Sequence, residues 1–357
     1  MPGQNAKRDI RVALVGFGLG GTSFHGPLIA TTPGMRLATV VTSNEARGSR
    51  ARRDYPGVHV ATTVQWLWDH AADHDVVVIT TPNRTHSSLA MAALTAGLPV
   101  VIDKPFARTT SEARKVVQMA RDKGLPVVPY HNRRWDSELL TLRRLMDEGV
   151  LGRISRFEAR LERWRPELKG GWRELGAMEE AGGLLYDLGS HLIDQALTLF
   201  GPVQSVYAEL DRRRARAETD DDVFLALTHT NGVRSHLWTS SVAAHHAPRM
   251  RVLGERGAFV KQHADPQEAA LRSGLRPSGP DWGQEAPESW GIVTDGTHEE
   301  PVRSEPGAYQ RFYGELLATL RDGAPPPVPA EDALAGLDII EAAQRSAKQR
   351  TVVVLSP

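Results

Sequence analysis

The sequence predicts an α/β fold class in two parts. A parallel, doubly wound sheet is expected in residues 1–130, and an α+β domain with an open, mainly antiparallel sheet in residues 131–357. Three observations predict this. Up to Tyr130, short apolar runs alternate with helical patterns, as parallel strands joined by crossover helices do. After Tyr130, alternating segments follow one another with few helices between them, the pattern of antiparallel strands. The first apolar run also ends in a glycine-rich turn that opens a helix.

The runs that read as strands in the first part are 10–15, 36–42, 58–61, 76–80, 99–102 and 126–128. Helical patterns occupy 86–96 and 110–123, with Gly97 and Gly124 where left-handed helix ends are expected. Thr109-Thr110-Ser111-Glu112 offers hydroxyls to free amides at a helix start. In the second part a helix at 136–148 leads into a strand at 154–164, and a helix at 183–200 follows. Strands are expected at 203–210, 223–228, 233–240, 249–253 and 258–261, with Gly232 and the Gly254/Gly257 pair at tight turns. Residues 262–308, rich in Pro, Gly and Ser, predict a long irregular excursion. Helices at 309–321 and 331–348 close the chain around a Pro-rich bend at 325–329, the last of them free to pack back on the first domain.

Composition narrows the function. The 43 basic and 43 acidic residues balance, which argues against nucleic acid or an anionic membrane surface as partner. Cysteine is absent, so disulfides, thiolate metal sites and cysteine nucleophiles are excluded. No apolar run reaches the roughly 18 residues of a membrane span, and a soluble cytoplasmic protein is expected. No metal set is expected either: His-Glu-x-x-His is missing, and His245-His246 has no evident companions. A G-x-S-x-G elbow is missing too, which disfavours a serine hydrolase.

Gly16, Gly18 and Gly21 form G-x-G-x-x-G between a strand and a helix, the setting in which this pattern cradles a dinucleotide pyrophosphate. NAD sites want an acid about 20 residues further on, on the ribose diol. Here Ser43 and Asn44 stand at the strand end, with Arg47 and Arg50 close behind. Such groups suit a 2′-phosphate and favour NADP, while Glu45 keeps NAD open. Thr80, Thr81, Pro82, Asn83 and His86 lie at the carboxyl end of a buried strand, the edge where ligands sit in an open parallel sheet. An ordinary Pro-Asn turn is the competing reading.

Three residue types suited to alcohol chemistry stand out. Lys104, in Ile102-Asp103-Lys104-Pro105, follows an apolar strand and could hold a substrate hydroxyl. Asp187 and His191 lie four residues apart in Gly182-Gly183-Leu184-Leu185-Tyr186-Asp187-Leu188-Gly189-Ser190-His191, on one face of a helix. A surface ion pair is the bland alternative, yet the flanking glycines would let backbone approach a ligand. His131, Asn132, Arg133 and Arg134 follow the last strand of the first part and either line a cleft or connect the domains. Arg212-Arg213-Arg214 and Asp220-Asp221-Asp222 read as opposed charge on exposed turns.

The glycine loop, Thr81-Pro82-Asn83 with His86, Asp103-Lys104-Pro105, and residues 183–191 together resemble the glucose–fructose oxidoreductase, inositol dehydrogenase and rhizopine catabolism (Gfo/Idh/MocA) family. Phe24-His25-Gly26-Pro27-Leu28, Tyr130-His131-Asn132-Arg133-Arg134-Trp135-Asp136 and Arg163-Trp164-Arg165-Pro166-Glu167 resemble its NADP-dependent scyllo-inositol dehydrogenase branch. Asp103 stands where the family usually has Glu, and Asn44 where the branch tends to carry Arg.

The resemblance implies a Rossmann domain, a hydride transfer between a polyol, inositol or sugar and nicotinamide, and a homodimer or homotetramer formed through the second sheet around 223–240. It implies Lys104, Asp187 and His191 as the catalytic set, with His191 a base of pKa about 6.5, Asp187 orienting it or binding a neighbouring hydroxyl, and Lys104 polarising the reacting oxygen. Leu19, Asp103, Lys104 and Asn132 join the glycine loop, the 43–47 segment and the 80–86 turn as cofactor contacts. Lys104, His131, Arg163, Arg165, Trp172, Arg173, Asp187 and His191 face substrate. A dinucleotide-binding sensor that lost turnover, or a reductase of another carbonyl or imine, uses the same frame.

Overall fold

Two sheets built by different rules meet at the residues singled out above. The coordinates, a computed structural model, describe residues 8–171, 174, 176 and 180–355. The first sheet contains β1 (Ile10–Val15), β2 (Met35–Val41), β3 (His59–Ala61), β4 (Val76–Ile79), β5 (Val100–Asp103) and β6 (Val127–Tyr130). Its order is β3-β2-β1-β4-β5-β6, all parallel. The order reverses between β1 and β4, so a crevice opens at the carboxyl ends of those two strands. The central strands are buried on both faces; all four residues of β4 and of β6 are buried.

Helices α1 (Gly26–Thr31), α2 (Glu45–Asp54), α3 (Val64–Asp69), α4 (His86–Thr95) and α5 (Thr110–Lys123) make the crossovers. The α5 ends follow the local rules: the Thr109 hydroxyl accepts from the Glu112 amide at 3.2 Å, and Gly124 closes the helix at φ +64°.

After α6 (Ser137–Asp147), the second sheet comprises β7 (Ile154–Glu162), β8 (Val203–Asp211), β9 (Asp222–His229), β10 (Arg234–Ser240), β11 (Met250–Gly254), β12 (Ala258–Lys261), β13 (Gly291–Thr294), β14 (Glu299–Val302) and β15 (Val353–Val354). Its order is β14-β13-β12-β11-β7-β10-β9-β8-β15, antiparallel except for the β7–β10 pair. Helices α7 (Ser190–Phe200) and α10 (Ala330–Gln349) pack on one face, where Leu192, Ile193, Leu337 and Ile340 share a core with Phe157, Leu225 and Leu237. On the other face Phe224 and Trp238 lie 5.1 Å apart between ring centroids, with the Arg160 guanidinium 4.0 Å from the Trp238 ring.

Residues 262–308 depart from the irregular excursion expected. They contain α8 (Gln267–Arg272), and β13 and β14 extend the sheet. Four-residue strands framed by Pro287, Gly291 and Gly296 are too short to show a period. A fully buried pair, Lys261–Glu285 at 2.8 Å, fastens the segment to β12. Helix α9 (Gln310–Asp322) crosses to the first sheet, where Phe312, Tyr313 and Leu316 join Val12, Val78 and Val101. Helix α10 touches α5, its Glu341 carboxylate accepting the Thr110 amide at 2.8 Å. Among the described residues no helix is long and apolar enough to cross a membrane.

Candidate active site

The glycine loop follows β1 directly, and its glycines do two different things. A Cβ on Gly16, at φ +97°, would lie 2.8 Å from the Thr80 carbonyl oxygen, and one on Gly21 2.6 Å from the Gly16 oxygen. Gly20, outside the motif positions, is as constrained: its Cβ would sit 2.2 Å from the Thr80 hydroxyl and 2.9 Å from Asp103 Oδ2. Gly18 instead faces open space, with Arg47 Nη1 4.0 Å from its Cβ position. The helical turn beginning at Gly20 has no side-chain cap; its Thr22 amide donates to the Gly18 oxygen at 2.9 Å, and its N-terminal end favours an anion. These features fit a dinucleotide pyrophosphate. Ser43 and Asn44 are exposed beyond β2, and Asn44 Oδ1 accepts the Arg47 amide at 3.0 Å to start α2.

The 80–86 turn is held by a network of its own. The Thr80 hydroxyl donates to Asp103 Oδ2 at 3.2 Å, and the Thr81 and Thr85 hydroxyls pair at 2.6 Å. Asn83 Nδ2 donates to the Ala181 carbonyl at 3.0 Å, and Arg84 pairs with Glu180. His86 is buried with its ring nitrogens 2.8 Å from the Pro105 and Thr81 oxygens. Burial keeps this ring neutral, so it donates to one of the two at a time. Pro82 leads into this turn. Asn83 and His86 therefore tie the turn to Ala181 and to Pro105; neither side chain lines the cleft.

The cleft, about 390 Å³, is lined by Leu19, Asp103, Lys104, Asn132, Arg133, Arg163, Arg165, Asp187 and His191 among others. Lys104 reaches it from the end of β5 through a cis Lys104–Pro105 peptide. Its ammonium donates to the Asp187 backbone oxygen at 2.5 Å and to Oδ1 at 2.7 Å, and its amide to Asp103 Oδ1 at 2.8 Å. Burial opposes charge on Asp103, but the His25 ring, 3.7 Å from Oδ2, and the Lys104 charge hold it below the ordinary carboxylate range.

Asp187 and His191 face one cleft, although the turn between them is wider than an α-turn: residues 185–189 form a π-helical segment before α7. Gly183, at φ +89°, starts it; a Cβ there would lie 2.2 Å from Asp220 Oδ1. Asp220 Oδ2 accepts the Leu185 amide at 2.7 Å and caps the segment, and burial pushes its carboxyl up to about 6. His191 is buried, and burial, then the charges of Lys104 and Arg133, hold its pKa well below 6.5. That corrects the near-neutral value expected. Its Nδ1 has no hydrogen-bond partner among the described residues, and the carboxylate of Asp187 is engaged by Lys104.

His131 sits outside the cleft lining, in a small void with Ser190 and Asp194. Its ring lies behind His191, centroids 6.4 Å apart, with Nδ1 3.9 Å from Asp194 Oδ2. Trp172 and Arg173 fall outside the described residues. The charge runs at 212–214 and 220–222 are only partly exposed: Arg214 is buried against Asp221 at 2.9 Å and Glu174 at 2.9 Å, and Arg214 and Asp220 line the cleft. Two opposed runs flanking a β8–β9 hairpin carried that signal, since such runs face each other across the turn.

Residues 10–131 match the family description "Oxidoreductase family, NAD-binding Rossmann fold", and residues 143–355 match "Oxidoreductase family, C-terminal alpha/beta domain". The chain belongs to the Gfo/Idh/MocA oxidoreductase family. It is 39% identical to the uncharacterized oxidoreductase YdgJ of Escherichia coli (strain K12), over 98% of this chain and 99% of that protein. It is 35% identical to the scyllo-inositol 2-dehydrogenase (NADP(+)) IolW of Bacillus subtilis (strain 168), over 99% of this chain and 98% of the relative. Among solved structures, the yvaA oxidoreductase of Bacillus subtilis superposes with a TM-score of 0.91 at 34% identity, covering 98% of this chain and all (100%) of that one.

Proposed function

We propose that this Gfo/Idh/MocA protein oxidises a secondary alcohol of a polyol, inositol or sugar, with NADP preferred over NAD. The observation that supports this reading is the convergence of Lys104, Asp187 and His191 on one cleft beside the glycine loop. Bound nicotinamide supplies a two-electron acceptor at its C4. With that acceptor bound, His191 would take the O–H proton as the carbinol hydrogen leaves with the C–H electron pair for the acceptor, and the C–O bond would become a carbonyl. His191, kept neutral, is a weak base, but a hydroxyl turns strongly acidic as hydride departs, so a weak base suffices. Lys104 donates to the oxygen as charge develops, and Asp187 fixes the ammonium at 2.7 Å. Residues 1–130 hold the dinucleotide in this reading and residues 131–357 hold the substrate.

The test is turnover of NADP+ and NAD+ against a panel of inositols and aldoses; binding without turnover across the panel defeats the proposal. Ser43, Asn44 and Arg47 are assigned to the adenosine ribose and its 2′-phosphate. Ser43→Asp is therefore expected to shift the NADP+/NAD+ ratio of kcat/KM by at least about 10-fold toward NAD+, since a carboxylate repels phosphate and accepts from a ribose diol. An unchanged ratio removes Ser43 from that role.

The half-buried outer sheet face with Phe224, His236 and Trp238 is proposed to join copies of this chain. Trp238→Asp would then lower the assembly to monomers in analytical ultracentrifugation, and an unchanged sedimentation coefficient rejects this face.

A further inference from the structure

The cleft holds more positive charge than its own carboxylates answer. Most of its cations are paired: Lys104 with Asp187, Arg133 with Asp136 and Glu268, Arg214 with Asp221 and Glu174, Arg272 with Glu268. The side-chain cations of Arg163, Arg165 and Lys169 pair with no carboxylate among the described residues, although the Lys169 amide donates to Glu174 Oε2 at 2.9 Å, and all three residues line the cleft. Their backbone is fixed. The Arg163 amide donates to the Ser240 oxygen at 2.9 Å, the Arg165 amide to Ser241 at 2.7 Å, and Trp164 bridges to Val242. Along such extended chain, residues 163 and 165 point to the same side, and Trp164, 55% exposed, to the other.

Arg163 is the telling member. Its Nε is buried without a hydrogen-bond partner among the described residues. Burial, Arg165 and Arg214 disfavour its charge; Asp187 and Glu268 favour it, but Asp187 is engaged by Lys104 and Glu268 by Arg133 and Arg272. Two guanidinium groups brought side by side, one with an unsatisfied buried donor, are costly unless something anionic arrives between them.

We propose that Arg163 and Arg165, with Lys169 at the rim, form an anion subsite, and that the preferred substrate is a polyol or sugar carrying a carboxylate or phosphate. This rests on the dehydrogenase reading above and narrows its substrate class. The anion would be held by paired N–H donors from the two guanidinium groups, while the hydroxyl to be oxidised sits at Lys104 and His191. A neutral inositol is the direct control, because the 163–167 segment resembles a branch named for one.

The experiment compares kcat/KM for gluconate and glucuronate, for glucose 6-phosphate and myo-inositol 1-phosphate, and for glucose, myo-inositol and scyllo-inositol. Charge-assisted hydrogen bonds predict that the best acidic compound exceeds its neutral counterpart by about 30-fold or more. Carboxylates leading identify a sugar acid, and phosphates leading identify a phosphate ester. In Arg163→Gln the acidic-to-neutral ratio should fall to near unity, chiefly through KM, with Arg163→Lys restoring part of it. Neutral compounds used as well as or better than acidic ones overturn the proposal. Melting temperatures with the same compounds give a second readout: the acidic ones should raise Tm and their neutral counterparts should not. If no compound is turned over, the dehydrogenase reading falls while the melting shifts still decide the subsite.

Discussion

A Lys104→Met chain is expected to lose about 10³-fold in kcat, the upper range for removing a single donor to developing oxygen charge. The methionine keeps the apolar stem beside Asp103 and Pro105 but removes the ammonium that Asp187 holds by two oxygens, at 2.5 and 2.7 Å. Two losses combine. The reacting oxygen loses its donor, and the Asp187 carboxylate, only 21% exposed, loses the ammonium beside it and becomes less favourable toward a nascent alkoxide. The glycine loop is untouched, since Gly16, Gly20 and Gly21 pack on Thr80, Asp103 and each other. Dinucleotide affinity, read by fluorescence titration, should therefore stay within about 3-fold, because a removed transition-state contact lowers kcat and not binding. Turnover within about 5-fold of the parent chain would take Lys104 out of the chemistry.

The sequence made the first sheet legible because its strands are buried on both faces. Runs such as Val76–Ile79 are unbroken, and Gly97 and Gly124 punctuate them with φ +80° and +64°. Asp187 and His191 were legible as a pair from spacing alone, but the π-helical turn was not. It depends on Asp220, 35 positions from Leu185, filling the space beside Gly183. His131 shows the limit of reading neighbours together: Asn132 and Arg133 face the cleft, while the side chain before them turns toward Asp194. Nor could composition separate Arg214 and Asp221, buried and paired, from Arg213, whose partners Asp211 and Asp222 lie on the surface. The segment 262–308 is more ordered than its composition suggests for a related reason. Its order comes from Lys261–Glu285 and from Asp265 accepting the Ser137 amide at 2.7 Å, contacts that local periodicity cannot show.

His191→Asn should cost about 10²–10⁴-fold in the oxidation rate, the range for a positioned proton acceptor, and its pH profile separates this role from a packing one. Burial first, then Lys104 and Arg133, holds the imidazole neutral well below its ordinary pKa. A base acts in its unprotonated form, so the acid limb of kcat/KM lies below pH 6.5, and the rate is level through neutrality. Removing the ammonium in Lys104→Met takes away one charge that opposes protonation. The acid limb of its residual activity should therefore move up toward about 6.5. Asparagine keeps a polar group of similar reach but accepts no proton, so its remaining activity should show no limb in this range. A limb that persists unchanged in His191→Asn assigns the proton to another group, and one that fails to rise in Lys104→Met separates the two side chains.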